Sequence, residues 1–150
     1  METNIAEQKS GVVHPTRPVS RRTAEPILYL ADRMASADNE PVPRELRIVD
    51  MIADAVGIPT FRHQPWFREM NEAAAIARLN TDLSKRAALV VLALVLKADV
   101  KRKPSEHAFF TRIREALGAA PITVPVELEA HKKLALEYFV DAATRRAPSR

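Results

Sequence analysis

Apolar residues recur at three- and four-residue intervals between residues 25 and 144, the spacing of amphipathic helices rather than strands. The pattern predicts six helices. The first covers residues 25–37, with Ile27, Leu30, Ala31 and Met34 on one face. The second covers 43–56. Pro43 suits a first helical position, where its missing N–H would be unpaired anyway, and Gly57 stops the helix. The third covers 65–79 and buries Phe67, Met70, Ala74 and Ala77, with Trp66 and Phe67 anchoring its start. Thr81 is expected to cap the fourth, 82–98. Its stretch 87–96 is apolar at every position. That is about half the twenty residues that span a bilayer, so it reads as a central helix surrounded by neighbours. The fifth covers 104–117 and stops at Gly118; the sixth covers 125–144, with Leu128, Leu134, Ala135 and Tyr138 inward. The expected fold is all-α: a compact bundle of about six helices over 25–144. A polar arm (1–24) and a basic tail (145–150) flank it, both lacking the apolar content to order themselves.

The helices contain a repeat. Residues 27–57 align without a gap on residues 88–118, at an offset of 61. Identical pairs are Leu28/Leu89, Ala37/Ala98, Asp38/Asp99, Pro43/Pro104, Glu45/Glu106, Ile52/Ile113, Ala55/Ala116 and Gly57/Gly118. They fall at the helix end, the turn, the next helix start and its stop, which predicts a duplicated helix–turn–helix with a pseudo-twofold. Capping gives the acids a structural reason that needs no function. Asp at a turn accepts backbone N–H bonds, and Glu at the third helical position meets orphan N–H groups at the positive end of the helix dipole.

An Ala-Asp at a helix end, followed seven residues later by Glu at the next helix start, and occurring twice, resembles the tellurite-resistance TerB family. The related N-terminal domain of DjlA-type co-chaperones belongs with it. The resemblance covers about residues 25–140. It implies a helical bundle with internal pseudo-symmetry, associated with stress response, tellurite resistance and membrane-linked complexes. It also implies acidic pairs that bind a divalent metal or a partner: Asp38, Glu40 and Glu45, joined by Asp99 and Glu106 across the pseudo-twofold. Two departures bear on this. The family has Gly after the motif Asp, where this chain has Asn39 and Val100. The second turn, Val100-Lys101-Arg102-Lys103, sets three cations beside Asp99 and Glu106, which oppose a divalent ion, whereas Asp38-Asn39-Glu40 is acidic.

Charge changes the picture less than its total suggests. The net +4 divides into +2 over residues 1–22, +3 over 144–150 and −1 for the rest. The basicity is thus expected in the ends, where Arg17, Arg21, Arg22, Arg145 and Arg146 are candidate contacts to nucleic acid or an anionic membrane surface. Without cysteine, thiolate metal sites, disulfides and Cys nucleophiles are excluded. Residues 1–26 show no secretory h-region. The acidic turn lacks EF-hand spacing. The histidines His14, His63, His107 and His131 are scattered, with no i,i+4 zinc pair, and read as surface or cap residues. No phosphate loop or nucleophile elbow is present. A non-enzymatic interaction or sensing module is expected, cytoplasmic or peripheral to the inner membrane, with a protein partner. An accessory protein for nucleic acid or membrane surface is the alternative, and a metal-dependent hydrolase ranks last.

Overall fold

A computed structural model describes residues 11–37, 43–98 and 104–140. Among these residues the chain is all-α, with seven α-helices, one 3-10 turn and no strand. The first helix, α1 (Arg21–Ala35), begins four residues before the predicted start because Ser20 caps it, its Oγ accepting the Thr23 N–H at 3.1 Å. Pro26 therefore lies inside the helix, where it cannot donate to the Arg22 carbonyl. Arg78 supplies the missing donor: its Nη2 reaches that carbonyl at 2.6 Å and the Glu25 carboxylate at 3.2 Å. A guanidinium from another helix thus makes the internal proline tolerable.

Three helices have the predicted limits: α2 (Pro43–Val56), α5 (Asp82–Ala98) and α6 (Pro104–Leu117). Thr81 caps α5 reciprocally with Ser84. Thr81 Oγ1 accepts the Ser84 N–H and Ser84 Oγ accepts the Thr81 N–H, both at 3.0 Å. This is a capping box with Ser in the position usual for Glu.

The predicted third helix is broken. A 3-10 turn (Phe61–His63) leads into α3 (Pro65–Glu69), and α4 (Glu72–Arg78) comes after extended backbone at Met70 and Asn71. Asn71 Oδ1 accepts the Ala74 N–H at 2.8 Å, giving the backbone a local alternative to continuing the helix. The break resets the helical phase. Ala74 and Ala77, expected inside, are exposed, while Ala75 and Leu79 are buried. The last helix, α7 (Leu128–Glu137), starts later than Pro125, and Leu128 in its first turn is 37% exposed rather than core. Leu134, Ala135 and Tyr138 are buried as expected.

Helix α5 forms the centre and touches α1, α2, α6 and α7. Its residues Ala87, Ala88, Leu89, Val90, Val91, Leu92, Leu94 and Val95 are all buried. Each fully buried Leu or Val contributes about 1.5–3 kcal/mol relative to exposure, so an all-apolar helix is stable only where neighbours cover every side. The aromatic side chains that follow α2 join the same core. Phe61 and Phe67 meet edge-on at 5.3 Å, Tyr29 and Phe67 at 5.6 Å, and Trp66 stacks near Phe61 at 6.5 Å.

Residues 11–20 lie against the bundle as a strap. Val12 bridges Thr123, and Tyr138 holds the strap twice. The Tyr138 hydroxyl donates to the Val13 carbonyl at 2.7 Å, and the Val19 N–H donates to the Tyr138 carbonyl at 2.8 Å. His14 Nδ1 lies 2.6 Å from the Glu137 carboxylate. Of the arm expected over 1–24, residues 11–24 thus make ordered contacts with the body, while 1–10 and the tail 145–150 lie outside the described residues. Among the described residues no helix is long and apolar enough to cross a membrane.

Candidate functional site

Helices α2 and α6 begin alike. Each opens on Pro, and each carries Glu at its third position: Glu45 and Glu106, both 0% exposed. That is the carboxylate position of a capping box, beside the orphan N–H groups of the first turn. They also end alike. Gly57 and Gly118 have φ of +91° and +63°, the left-handed region that favours glycine. The Gly57 N–H reaches the Asp54 carbonyl at 3.1 Å and the Ile58 N–H the Ala53 carbonyl at 2.9 Å. The Gly118 N–H reaches Glu115 at 3.0 Å and the Ala119 N–H reaches Arg114 at 3.3 Å. Both are Schellman stops. Of the acidic set, then, Glu45 and Glu106 sit in matching, fully buried positions; Asp38, Glu40 and Asp99 lie outside the described residues. Of the acidic residues Asp38, Glu40 and Glu45, only Glu45 is among the described residues, and a carboxylate is a hard oxygen ligand of the kind Mg²⁺ and Ca²⁺ take. Among the described residues no three His, Cys, Asp or Glu side chains cluster as a metal site.

The basic candidates divide differently. Arg17, Arg21 and Arg22 are exposed, with Arg21 and Arg22 in the first turn of α1 instead of a loose arm. Arg21 and Arg22 share a shallow depression with Glu25 and Arg78. Arg145 and Arg146 lie outside the described residues. Elsewhere on the polar surface, Arg112 reaches Glu72 with two N–H groups, at 2.8 and 3.2 Å, and tethers α6 to α4.

A cleft of about 400 Å³ opens under the strap. Its floor is Leu89 and Val90 of α5, its sides are Val13, Ile122 and Tyr138, and Gly118, Ala119 and Ala120 line it with small side chains. Lys85 and Arg86 of α5 line it too, with Asp82. Burial pushes the Tyr138 hydroxyl above its ordinary pKa, against the opposing pull of Arg86, and the Glu137 charge adds to the rise. No protein-family model, curated protein or solved structure matches the chain. The cleft was not signalled by the sequence: Lys85-Arg86 reads there as a polar flank of the apolar run, and Ala119-Ala120-Pro121 as a plain connection.

His131 departs from the surface role expected of the histidines. It is fully buried between α7 and α5, with Nε2 2.9 Å from the Val90 carbonyl. A carbonyl only accepts, so Nε2 carries the proton. Burial, helped by the nearby Lys97 charge and opposed by the Val90 hydrogen bond, pushes its pKa from 6.5 down to about 4. It is a neutral core residue at neutral pH.

Proposed function

We propose that the chain is a non-enzymatic, TerB-like interaction or sensing module built by duplication of a helix–turn–helix, acting in stress or tellurite resistance. What supports the reading is one observation: two helices with limits 61 residues apart, each carrying a fully buried Glu at its third position and a left-handed Gly at its stop. Duplicated framing of two turns is the feature the motif resemblance implies. In this reading the first turn is the working one. Asp38, Glu40 and Glu45 would hold a hard divalent ion or a cationic partner group, and the ion would supply fixed positive charge that a partner's carboxylate can recognise. Asp99 and Glu106 serve the second copy structurally. The test is titration of the purified chain with Ca²⁺, Mg²⁺ and Mn²⁺. Asp38→Asn with Glu45→Gln is expected to abolish saturable binding while helicity stays unchanged. Unchanged binding in the folded double variant overturns the site.

A second reading has its own observation: α1 has no acid in its first turn, and Arg21, Arg22 and Arg78 gather at its exposed start, with Arg17 exposed on the strap just before it. A surface of this kind neutralises phosphates in a salt-dependent way. Replacing Arg17, Arg21 and Arg22 with Gln is then expected to end retention on DNA or anionic vesicles at low salt. A full-length chain that binds neither contradicts it.

A further inference from the structure

The cleft under the strap combines features that the proposed acidic site does not use. Its floor is apolar, since Leu89 and Val90 present the edge of the core there. Two cations on consecutive positions of α5, Lys85 and Arg86, line it half-buried, and neither has a carboxylate within ion-pair distance among the described residues. This sets them apart from the other arginines that reach between elements. Arg62 is paired with Asp32 and Asp50, Arg78 with Glu25, and Arg112 with Glu72. A half-buried cation without a counter-ion is costly unless an anion arrives. The Tyr138 hydroxyl donates to the Val13 carbonyl and accepts from the Arg86 guanidinium, so it serves as wall and not as a donor to a ligand, while Arg86 keeps further N–H groups for an anion.

We propose that this cleft binds a small monoanionic amphiphile, a carboxylate with a short apolar chain, its head on Lys85 and Arg86 and its chain over Leu89, Val90, Val13 and Ile122. Size and charge set the class. At about 400 Å³ the space falls at the lower end of small-ligand pockets, which run roughly 300–1,000 Å³. Two cations and the single acid Asp82 leave one net positive charge on the lining, which matches a monoanion better than a phosphate dianion. Arg supplies a planar fork suited to a carboxylate, and Lys a point charge beside it.

The experiment is titration of the full chain, labelled at its methyl groups, with octanoate, and in parallel with octanol and with inorganic phosphate. Octanoate is expected to give saturable shifts at Val13, Leu89, Val90 and Ile122. Octanol should bind at least about tenfold more weakly, because it lacks the charge that a net 1.4 kcal/mol would reflect. Phosphate alone should move none of these methyls. Lys85→Met with Arg86→Met should weaken octanoate by at least about tenfold, whereas Lys132→Met, a cation paired with Glu129 elsewhere on the surface, should leave it unchanged. If the double variant fails to fold, the octanoate-against-octanol ratio in the unaltered chain decides. Absence of saturable shifts, equal affinity for octanol, or shifts at these methyls with phosphate would each overturn the proposal.

Discussion

Gly57 and Gly118 end two helices of equal length with the same kind of helix stop, yet the chain uses the space beyond them in opposite ways. After Gly57 it fills that space. Ile58 and Phe61 are buried, Trp66 and Phe67 close around them, and Arg62 lies over the Phe61 ring at 4.5 Å while binding Asp32 at 2.7 Å and Asp50 at 2.8 Å. After Gly118 it leaves the space open. Ile122, at the 61-residue offset from Phe61, is half-exposed, and small residues border the cleft. Charge is exchanged at the same register. Glu25 meets Arg78 on α1, whereas the matching position on α5 is Arg86, which meets no carboxylate among the described residues. One local frame can thus be closed by an aromatic and ion-paired plug or left as a charged cleft. Pro, Glu and Gly set the helix limits, while the residues after the glycine decide whether the space is filled.

The largest expected contrast is between those plugs. Phe61→Ala should cost about 3–5 kcal/mol, the usual loss for a fully buried aromatic. Ile122→Ala at the matching position should cost under about 2 kcal/mol, because that side chain is already partly exposed. Urea unfolding of the two variants measures this, and equal costs would erase the distinction between filled and open halves.

Next comes acid. His131 has a folded pKa of about 4 against 6.5 when unfolded, so the unfolded chain takes up the proton first. Stability should be fully present above pH 6.5, fall as pH drops from 6.5 to 4 by up to about 3 kcal/mol, and level off below that range. His131→Gln should flatten that slope. Hydrogen exchange should show α5 and α7 loosening before the aromatic cluster beside α2, and the reverse order would contradict the assignment.

Two smaller effects concern caps and turns. Removing either local cap, by Thr81→Ala or Asn71→Ala, should cost about 1 kcal/mol. Asn71→Ala should also let the break between α3 and α4 heal partly, read as added helicity, because the competing side-chain acceptor is gone. Gly57→Ala and Gly118→Ala should each cost about 1 kcal/mol and differ by only a few tenths. Neither position has a neighbour within 4 Å of an added Cβ, so backbone strain alone sets both values.

Helix limits were legible where one local signal stood alone, and not where a second signal competed with it or a distant residue overruled it. The limits of α2, α5 and α6 could be read because Pro43, Thr81, Pro104, Gly57 and Gly118 act on their own neighbours. The start of α1 could not, since Pro26 is tolerated only through Arg78, fifty-two residues away in the chain. The third predicted helix failed at Asn71, whose side chain competes with the backbone and shifts the buried face from Ala74 and Ala77 to Ala75 and Leu79. Glu45 and Glu106 were legible as first-turn acids, but their full burial comes from packing. The cleft was invisible because an open space is a property of what a segment fails to fill.

The acidic turns carry the central functional claim, and calorimetric titration with Ca²⁺, Mg²⁺ and Mn²⁺ of two matched double variants tests it most directly. Asp38→Asn with Glu45→Gln should remove saturable binding, while Asp99→Asn with Glu106→Gln should retain it within about twofold, well under the tenfold that 1.4 kcal/mol represents. No binding by the unaltered chain, or equal loss in both variants, would contradict the account.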